Sequence, residues 1–119
     1  MVDYKKYHVW QRSHQLVLDV YRITSTFPKS EMFTIVPQIN RAAISIPTNI
    51  AEGCGRETQK ELIRFLYISS GSAHEVEYLI LLATDLKFIN QDESERLLTE
   101  LLEIKKMLGS LIRKIKSTL

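Results

Sequence analysis

The sequence predicts an all-α protein, an antiparallel up-down-up-down four-helix bundle. Apolar residues recur at three- and four-residue steps in four segments, which is the spacing of a buried helical face. The connections between these segments are short, so consecutive helices are expected to be antiparallel neighbours. No segment has the alternating pattern of a strand, and 119 residues form a single domain, 1–119.

The first helix is predicted to run from about Val9 to about Thr26. Phe27-Pro28 ends it, because the residue before a proline is pushed out of the helical region. Its inner stripe is expected to comprise Trp10, Ser13, Leu16, Val17, Val20, Tyr21, Ile23 and Thr24.

The second helix is predicted to begin after Thr34, a suitable N-cap, with Pro37 tolerated in the first turn. Pro47 lies in its interior, where a proline removes a backbone donor and costs about 3 kcal/mol. We therefore expect a kinked, central helix whose packing offsets this cost. Its inward side chains are small, so a neighbouring helix can approach closely. Gly53 or Gly55 is expected to close the helix in the left-handed conformation.

The third helix is predicted from about Gln59 to about Lys87, and Thr58 with Glu61 has the pattern of a capping box at its start. The fourth is predicted from about Asp92 to about Lys116. The inward residues of the third helix are expected to be Leu62, Phe65, Leu66, Ser69, Ala73, Val76, Ile80, Ala83 and Leu86. Those of the fourth are expected to be Leu97, Leu98, Leu101, Leu102, Leu108, Leu111, Ile112 and Ile115.

Composition favours a cytoplasmic globular protein. Hydrophobic residues make up 45% and charged residues 25% of the chain, which is ordinary globular usage. The single cysteine, Cys54, cannot form an intrachain disulfide, so a reducing compartment fits best. The first residues, MVDYKKYHVWQ, have no long apolar run, and no segment approaches membrane-spanning length.

The sequence carries no recognisable catalytic motif, and we expect neither enzymatic activity nor a cofactor. It has no phosphate-binding glycine loop, dinucleotide fingerprint or nucleophile elbow. His8, His14 and His74 lack the spacing of metal ligands, so no metal site is expected. Cys54 is interpreted as a small buried residue rather than a reactive thiol.

Three polar residues, Arg41, Asn49 and Glu52, stand out on the largely apolar second helix. We interpret them as a structural network, an ion pair with an amide, that fixes the helix register or the corner beside Gly53. The alternative is a ligand site. The structural role is favoured, because no nucleophile with an accompanying base lies nearby.

The third helix carries more outward apolar residues than a monomer needs. The segment 79–83 is apolar on all sides, which is typical of a helix buried on two sides. Scattered surface hydrophobics are the alternative. Because these residues follow one another on one face, self-association is favoured. The predicted oligomer interface comprises Ile44, Tyr67, Tyr78, Leu81 and Leu82.

The net charge of +2 is small, but the charges are unevenly placed. In the predicted bundle, the start of the first helix, the corner between the second and third, and the end of the fourth lie together. The predicted nucleic-acid-binding residues at this end are Lys5, Lys6, Arg12, Arg56, Lys60, Arg64, Arg113, Lys114 and Lys116. Such clusters suit electrostatic binding of a phosphate backbone. The alternative is solvated charge that complements the helix dipoles.

The segment RAAISIPTNIAEGCGR carries a family resemblance, together with Gly71-Ser72 and Glu75. The most specific part is the run Asn-Ile-Ala-Glu-Gly at 49–53. The pattern resembles the bacterial four-helix-bundle family linked to 23S rRNA intervening sequences, and the resemblance covers nearly the whole chain. It implies an antiparallel four-helix bundle that assembles into a ring-like homopentamer.

The family also resembles the accessory variability determinant of diversity-generating retroelements, a basic pentamer that binds nucleic acid and a reverse transcriptase. The resemblance thus implies RNA or DNA, and a reverse transcriptase for a retroelement accessory, as partners, and no membrane. Most members have no assigned function. From the clustered cations, the absent catalytic motifs and this resemblance together, we expect a non-enzymatic oligomeric module that binds or scaffolds nucleic acid. The alternative is a structural or protein-binding homo-oligomer without a nucleic-acid partner.

Overall fold

The computed structural model describes residues 2–119, and in this range it contains four α-helices, two short 3₁₀ turns and no strand. The helices are α1 (His8–Thr24), α2 (Ile35–Cys54), α3 (Gln59–Asp85) and α4 (Gln91–Lys116). The 3₁₀ turns, Tyr4–Lys6 and Lys29–Glu31, precede α1 and α2. The predicted all-α class and the four helices are confirmed.

One apolar core holds the four helices together. Leu16 of α1, Ile46 of α2, Leu66 of α3 and Leu101 of α4 are fully buried in it. Burying one such side chain contributes about 1.5–3 kcal/mol relative to leaving it exposed. The molecule is elongated, with extents of 47 × 24 × 19 Å. None of the helices in residues 2–119 combines the length and apolarity that crossing a bilayer requires.

The helix α1 ends two residues earlier than the sequence predicts. Backbone hydrogen-bonded turns after Thr24 carry the chain to Phe27, whose side chain is buried. The prediction that Tyr21 faces inward is wrong, because its side chain is 47% exposed. Val9, outside the predicted stripe, is only 3% exposed. The buried face is thus centred on Leu16 and is narrower than the apolar pattern.

The helix α2 continues through Pro47, which is buried. Thr34 occupies the N-cap position, but its side chain makes no cap hydrogen bond. Its hydroxyl instead donates to Glu31 Oε1 at 2.9 Å. The prediction of a left-handed glycine at the end of α2 is wrong: Gly55 has φ −85°, and no glycine within residues 2–119 has a positive φ.

The glycine that matters for packing is Gly53, because α2 and α3 come together there. A Cβ atom on Gly53 would lie 2.9 Å from Phe65 Cβ and 2.9 Å from Leu62 Cδ1. Any larger residue would push the helices apart. The close approach expected from the small side chains of α2 therefore occurs at its last turn.

The two ends of α3 are closed by different devices. At the start, Thr58 Oγ1 accepts from the amide of Glu61 at 3.2 Å, which is the N-cap half of the predicted capping box. At the other end, Lys87 adopts φ 69°. The amide of Phe88 then donates to the carbonyl of Ala83 at 2.9 Å, as in a Schellman motif.

Buried hydroxyl groups join α2 to α3. Ser69 Oγ donates to the carbonyl oxygen of Ile46 at 2.9 Å, and Ser72 Oγ donates to Ser45 Oγ at 2.7 Å. Asn49 Nδ2 donates to the carbonyl and the hydroxyl of Ser45 at 2.8 and 2.9 Å. No buried side-chain polar atom in residues 2–119 lacks a hydrogen-bond partner.

Ion pairs join α1 to α4. The guanidinium of Arg12 donates to both carboxylate oxygens of Glu100, at 2.8 and 2.7 Å. Further along, Arg96 pairs with Asp19 at 3.2 Å and with Glu93 at 2.8 Å. These side chains are partly exposed, so this junction is more polar than the one between α2 and α3.

Candidate nucleic-acid interface

One end of the molecule gathers the first residues, the corner between α2 and α3, and the last turns of α4. Tyr7, Cys54 and Ile115 line a single cleft of about 330 Å³ at this end. Thr118 Oγ1 donates to Gln59 Oε1 at 2.9 Å, which links the end of α4 to the start of α3. The three segments that carry the predicted cations are therefore in contact.

Eight of the nine predicted cations lie on these segments, and all eight are exposed. We call this set the basic end: Lys5, Lys6, Arg56, Lys60, Arg64, Arg113, Lys114 and Lys116. None of the eight forms an ion pair within residues 2–119. An exposed cation without a carboxylate partner keeps its charge available to an anion from solution.

Aromatic rings support several of these cations. The guanidinium carbons of Arg56 and Arg64 lie 4.8 and 5.8 Å from the centroid of the Phe65 ring. The ammonium of Lys116 lies 5.0 Å from the centroid of Tyr67. Such contacts contribute about 0.5–1 kcal/mol at exposed sites. They hold the cations near the surface without neutralising them.

The ninth predicted cation, Arg12, is not part of this arrangement. The hydrogen bonds to Glu100 raise the pKa of Arg12, while burial lowers it. The guanidinium also contacts Met107 Sδ at 3.9 Å. The structure thus takes Arg12 out of the set of unpaired cations, because Glu100 holds its guanidinium.

Two arginines near the far end of α1, Arg22 and Arg96, are paired instead. Arg96 contacts Asp19 and Glu93, and Arg22 lies 3.4 Å from Glu93. The hydrogen bond from Arg96 lowers the pKa of Glu93, and burial opposes this shift. Within residues 2–119 most unpaired cations therefore lie at the basic end, and the others are Lys29, Arg41, Lys87 and Lys106.

The structure does not bring Arg41, Asn49 and Glu52 together. Arg41 and Glu52 are eleven residues apart on α2, about 16 Å along the axis. Neither forms an ion pair within residues 2–119. The predicted ion pair is thus absent from the described chain. Asn49 does have a structural role, but its partner is Ser45.

The residues predicted to form an oligomer interface occupy two different places. Tyr67, Tyr78 and Leu81 lie exposed on α3, and the side chains of Tyr78 and Leu81 are 61% and 46% exposed. Leu82 is partly buried, because it packs against the core. Ile44 is exposed on α2, where it lines a groove between α1 and α2.

This groove was not foreseen from the sequence. The rings of Trp10 and His14 stack along it with centroids 5.1 Å apart and planes inclined by 5°. Tyr4 meets Trp10 nearly edge-on, with the same centroid distance of 5.1 Å and an angle of 65°. The signal that predicts the stack is the i, i+4 spacing of Trp10 and His14 on one helical face.

The cleft at the basic end offers no ready nucleophile. Burial, followed by the charge of Asp3, raises the pKa of the Cys54 thiol. Burial, followed by the charge of Cys54, raises the pKa of Tyr7. Both groups are therefore protonated at neutral pH. Between residues 2 and 119 there is also no cluster of His, Cys, Asp and Glu suited to a metal ion.

Comparisons with known proteins agree with the fold. The sequence matches the family model described as 23S rRNA-intervening sequence protein over residues 5–110. The structure resembles the crystal structure of a protein of unknown function from the S23 ribosomal protein family of Bacteroides thetaiotaomicron. The TM-score is 0.82 at 26% sequence identity, and the match covers 87% of this chain and 97% of the other. No curated protein matches the sequence. The chain therefore belongs to the family of 23S rRNA-intervening sequence proteins.

Proposed function

We propose that this protein is a non-enzymatic, homo-oligomeric module that binds the phosphate backbone of RNA or DNA through its basic end. The observation that carries the proposal is the set of eight exposed cations on contacting segments that have no carboxylate partner within residues 2–119. Neutralising phosphates releases condensed counterions, and this release drives sequence-independent binding. We also propose that the protein acts in the cytoplasm. Its single cysteine is a free, buried thiol, which fits a reducing compartment.

The proposal includes an antiparallel up-down-up-down course for the four helices. Contacts between α3 and α4 support it, because they pair residues in reversed order. Thr84 Oγ1 donates to Ser94 Oγ at 3.0 Å, while Lys105 Nζ donates to Glu77 at 2.8 Å. Contacts between α2 and α3 follow the same reversed order. Such a course brings the ends that carry unpaired cations together.

The proposal also includes self-association through the outward face of α3, with the pentamer that the family resemblance implies. Gly71 supports this part. A Cβ on Gly71 would meet no atom within 4 Å, although a glycine inside a helix costs about 1 kcal/mol relative to alanine. Its own chain does not need the space, so a neighbouring copy beside Tyr67 and Tyr78 has room to approach closely. A ring would repeat the basic end around its axis.

A second candidate is a structural or protein-binding homo-oligomer that has no nucleic-acid partner. It is favoured by the contacts of Arg56 and Arg64 with Phe65, and of Lys116 with Tyr67, because these give the cations a role in stability. A reverse transcriptase is a further partner that the family resemblance suggests, alongside nucleic acid, if the protein is a retroelement accessory.

A salt titration separates the two candidates. Binding of fluorescently labelled RNA and DNA of equal length is measured by anisotropy at increasing salt. We expect log affinity to fall linearly with log salt, with little difference between sequences. In the triple variant Arg113→Ala, Lys114→Ala, Lys116→Ala, we expect weaker binding and a slope shallower by about 2–3.

The matched control removes three cations from elsewhere, Lys29→Ala, Arg41→Ala and Lys106→Ala. All three are exposed and unpaired in residues 2–119. The control is expected to keep most of the affinity and of the salt slope. Equal losses in both triple variants would mean that net charge alone drives binding. Affinity without a salt dependence would contradict the proposal.

A further inference from the structure

The groove between α1 and α2 has features that nucleic-acid binding does not use. Its volume is about 370 Å³. Val17, Pro47 and Ala51 line it with apolar surface. Alanine and proline are short, so α2 leaves a concave strip beside α1. Apolar concave surfaces of this size are common binding sites.

Two aromatic rings stand at an angle along the groove. Trp10 and Tyr4 have planes inclined by 65° and centroids 5.1 Å apart, so they form two walls of a corner. His14 stacks on Trp10 and holds its ring in place. The face of an aromatic ring attracts cations, most strongly for tryptophan. The ammonium of Lys5 already lies 5.9 Å from the centroid of Tyr4.

Glu52 is the acidic residue that lines this groove, and the other lining residues are neutral or aromatic. Its carboxylate forms no ion pair within residues 2–119, and Lys5 does not pair with it. A carboxylate beside aromatic rings attracts a cation and repels a phosphate. The charge of this groove is thus complementary to a positively charged group, unlike that of the basic end.

The shape of the groove decides which kind of cation it suits. His14, Ile44, Thr48 and Glu52 are all exposed along it, so it does not enclose a bound molecule. Small ligands need most of their surface buried, whereas a side chain is held by the rest of its polypeptide. Arginine fits best, because its planar guanidinium stacks on aromatic rings and donates two hydrogen bonds to one carboxylate.

We propose that the groove between α1 and α2 binds an arginine side chain of a partner polypeptide. The guanidinium packs in the corner between the rings of Tyr4 and Trp10 and donates to the carboxylate of Glu52. The aliphatic part of the arginine covers Pro47 and Ala51. This proposal does not rest on nucleic-acid binding, although Lys5 of the basic end contacts Tyr4, one wall of the groove.

The test uses the chain's single tryptophan. The indole N–H of Trp10 gives one resonance in a ¹H–¹⁵N spectrum, and it is followed during titration with a capped peptide that carries one central arginine between alanines. The matched probe is the citrulline counterpart, which has nearly the same shape without the charge. We expect a saturable shift with the arginine probe and about fivefold weaker binding of the citrulline probe.

Variants assign the interaction to the carboxylate. Glu52→Gln keeps the size of the side chain and is expected to weaken arginine binding about fivefold, with no change for citrulline. Glu57→Gln, also exposed but in the other cleft, is the control and is expected to change neither. Equal binding of the two probes, or an unaltered affinity in Glu52→Gln, would overturn the proposal. So would tighter binding of adenosine monophosphate than of the arginine probe, because the rings would then stack a base.

Discussion

At the scale of single residues, Lys87 adopts the left-handed backbone conformation. Its φ of 69° is the only positive value for a residue other than glycine within residues 2–119. The left-handed conformation costs an L-residue about 1–2 kcal/mol. Backbone bonds at the end of α3 hold it there, and Phe88, which follows, packs against Phe27 with ring centroids 5.5 Å apart.

Replacing Lys87 by glycine is therefore expected to stabilise the protein. We predict that Lys87→Gly raises the free energy of unfolding by about 0.5–1 kcal/mol, because the relief of strain exceeds the entropy gained by the unfolded chain. Lys87→Val is expected to lower the free energy of unfolding, since a β-branched residue tolerates this conformation poorly. Urea denaturation followed by circular dichroism measures both.

The control for this prediction is Lys29→Gly. Lys29 is also exposed, lies in a 3₁₀ turn and has no positive φ. This variant is expected to be no more stable than the original protein. If Lys29→Gly and Lys87→Gly changed stability equally, the strain at Lys87 would not be the cause.

Glycine is the residue type for which sequence reasoning was least specific. Gly53 and Gly55 were expected to supply a left-handed cap, but α2 ends without one, and Gly53 serves the close approach of α3. Both uses depend on the missing Cβ atom, so a sequence cannot separate them. The left-handed residue is Lys87, and nothing in its side chain marks that position.

At the scale of helices, the periodic apolar pattern predicted all four elements, with ends displaced by at most two residues. Facing directions were less accurate. Tyr21, Leu86 and Leu102 were expected to point inward and are about half exposed. An apolar stripe gives the side of a helix that can be buried, but its neighbours determine how much of that side is covered.

The periodic apolar pattern does not predict which residues of two helices contact each other. The ion pairs Arg12–Glu100 and Arg96–Asp19 join residues 88 and 77 positions apart. They depend on how far α4 slides along α1, which a single sequence does not specify. For the same reason Arg12 was grouped with the cations of the basic end, although it pairs with Glu100.

The charge cluster of Glu93, Arg96 and Asp19 makes the junction of α1 and α4 sensitive to acid. Because Arg96 lowers the pKa of Glu93 in the folded protein, the unfolded chain binds a proton on this residue more readily. The stabilisation is present above the unfolded pKa and is lost as the pH falls through the lower, folded value.

We therefore predict that Glu93→Gln flattens the loss of thermal stability between neutral pH and about pH 3. At neutral pH the variant should be less stable by under about 1 kcal/mol, since exposed ion pairs contribute little. Melting curves at several pH values measure the effect. Glu57→Gln, which removes a carboxylate that is unpaired within residues 2–119, is the control. An unchanged acid slope in Glu93→Gln would contradict the prediction.

At the scale of the whole molecule, charge patterning anticipated the exposed cations better than it anticipated the polar residues of α2. Helix ends are exposed in almost any bundle. The positions of the predicted helices are therefore enough to predict that cations at those ends are exposed. The roles of Arg41 and Glu52 depended on tertiary geometry, which separates them. The aromatic groove beside Glu52 also could not be predicted without the tertiary structure, since Tyr4 reaches it from a 3₁₀ turn before α1.

Self-association through α3 gives a prediction for the assembled protein. We expect light scattering behind a sizing column to give the mass of an oligomer for the original chain. Leu81→Asp should reduce it to that of a single chain, because a carboxylate buried against a partner's apolar surface is strongly destabilising. Leu18→Asp is the control, since Leu18 is similarly exposed, but on α1. A single-chain mass for the original protein would contradict the prediction.

The polar junction between α1 and α4 also has a consequence for local unfolding. These two helices share the smallest contact of the four neighbouring pairs, and much of it is surface ion pairing. By contrast, α2 and α3 are joined by buried hydroxyls and by the close approach at Gly53. Local unfolding should therefore begin at the contact between α1 and α4. The amide protons of α2 and α3 would then exchange with solvent more slowly than those of α1 and α4.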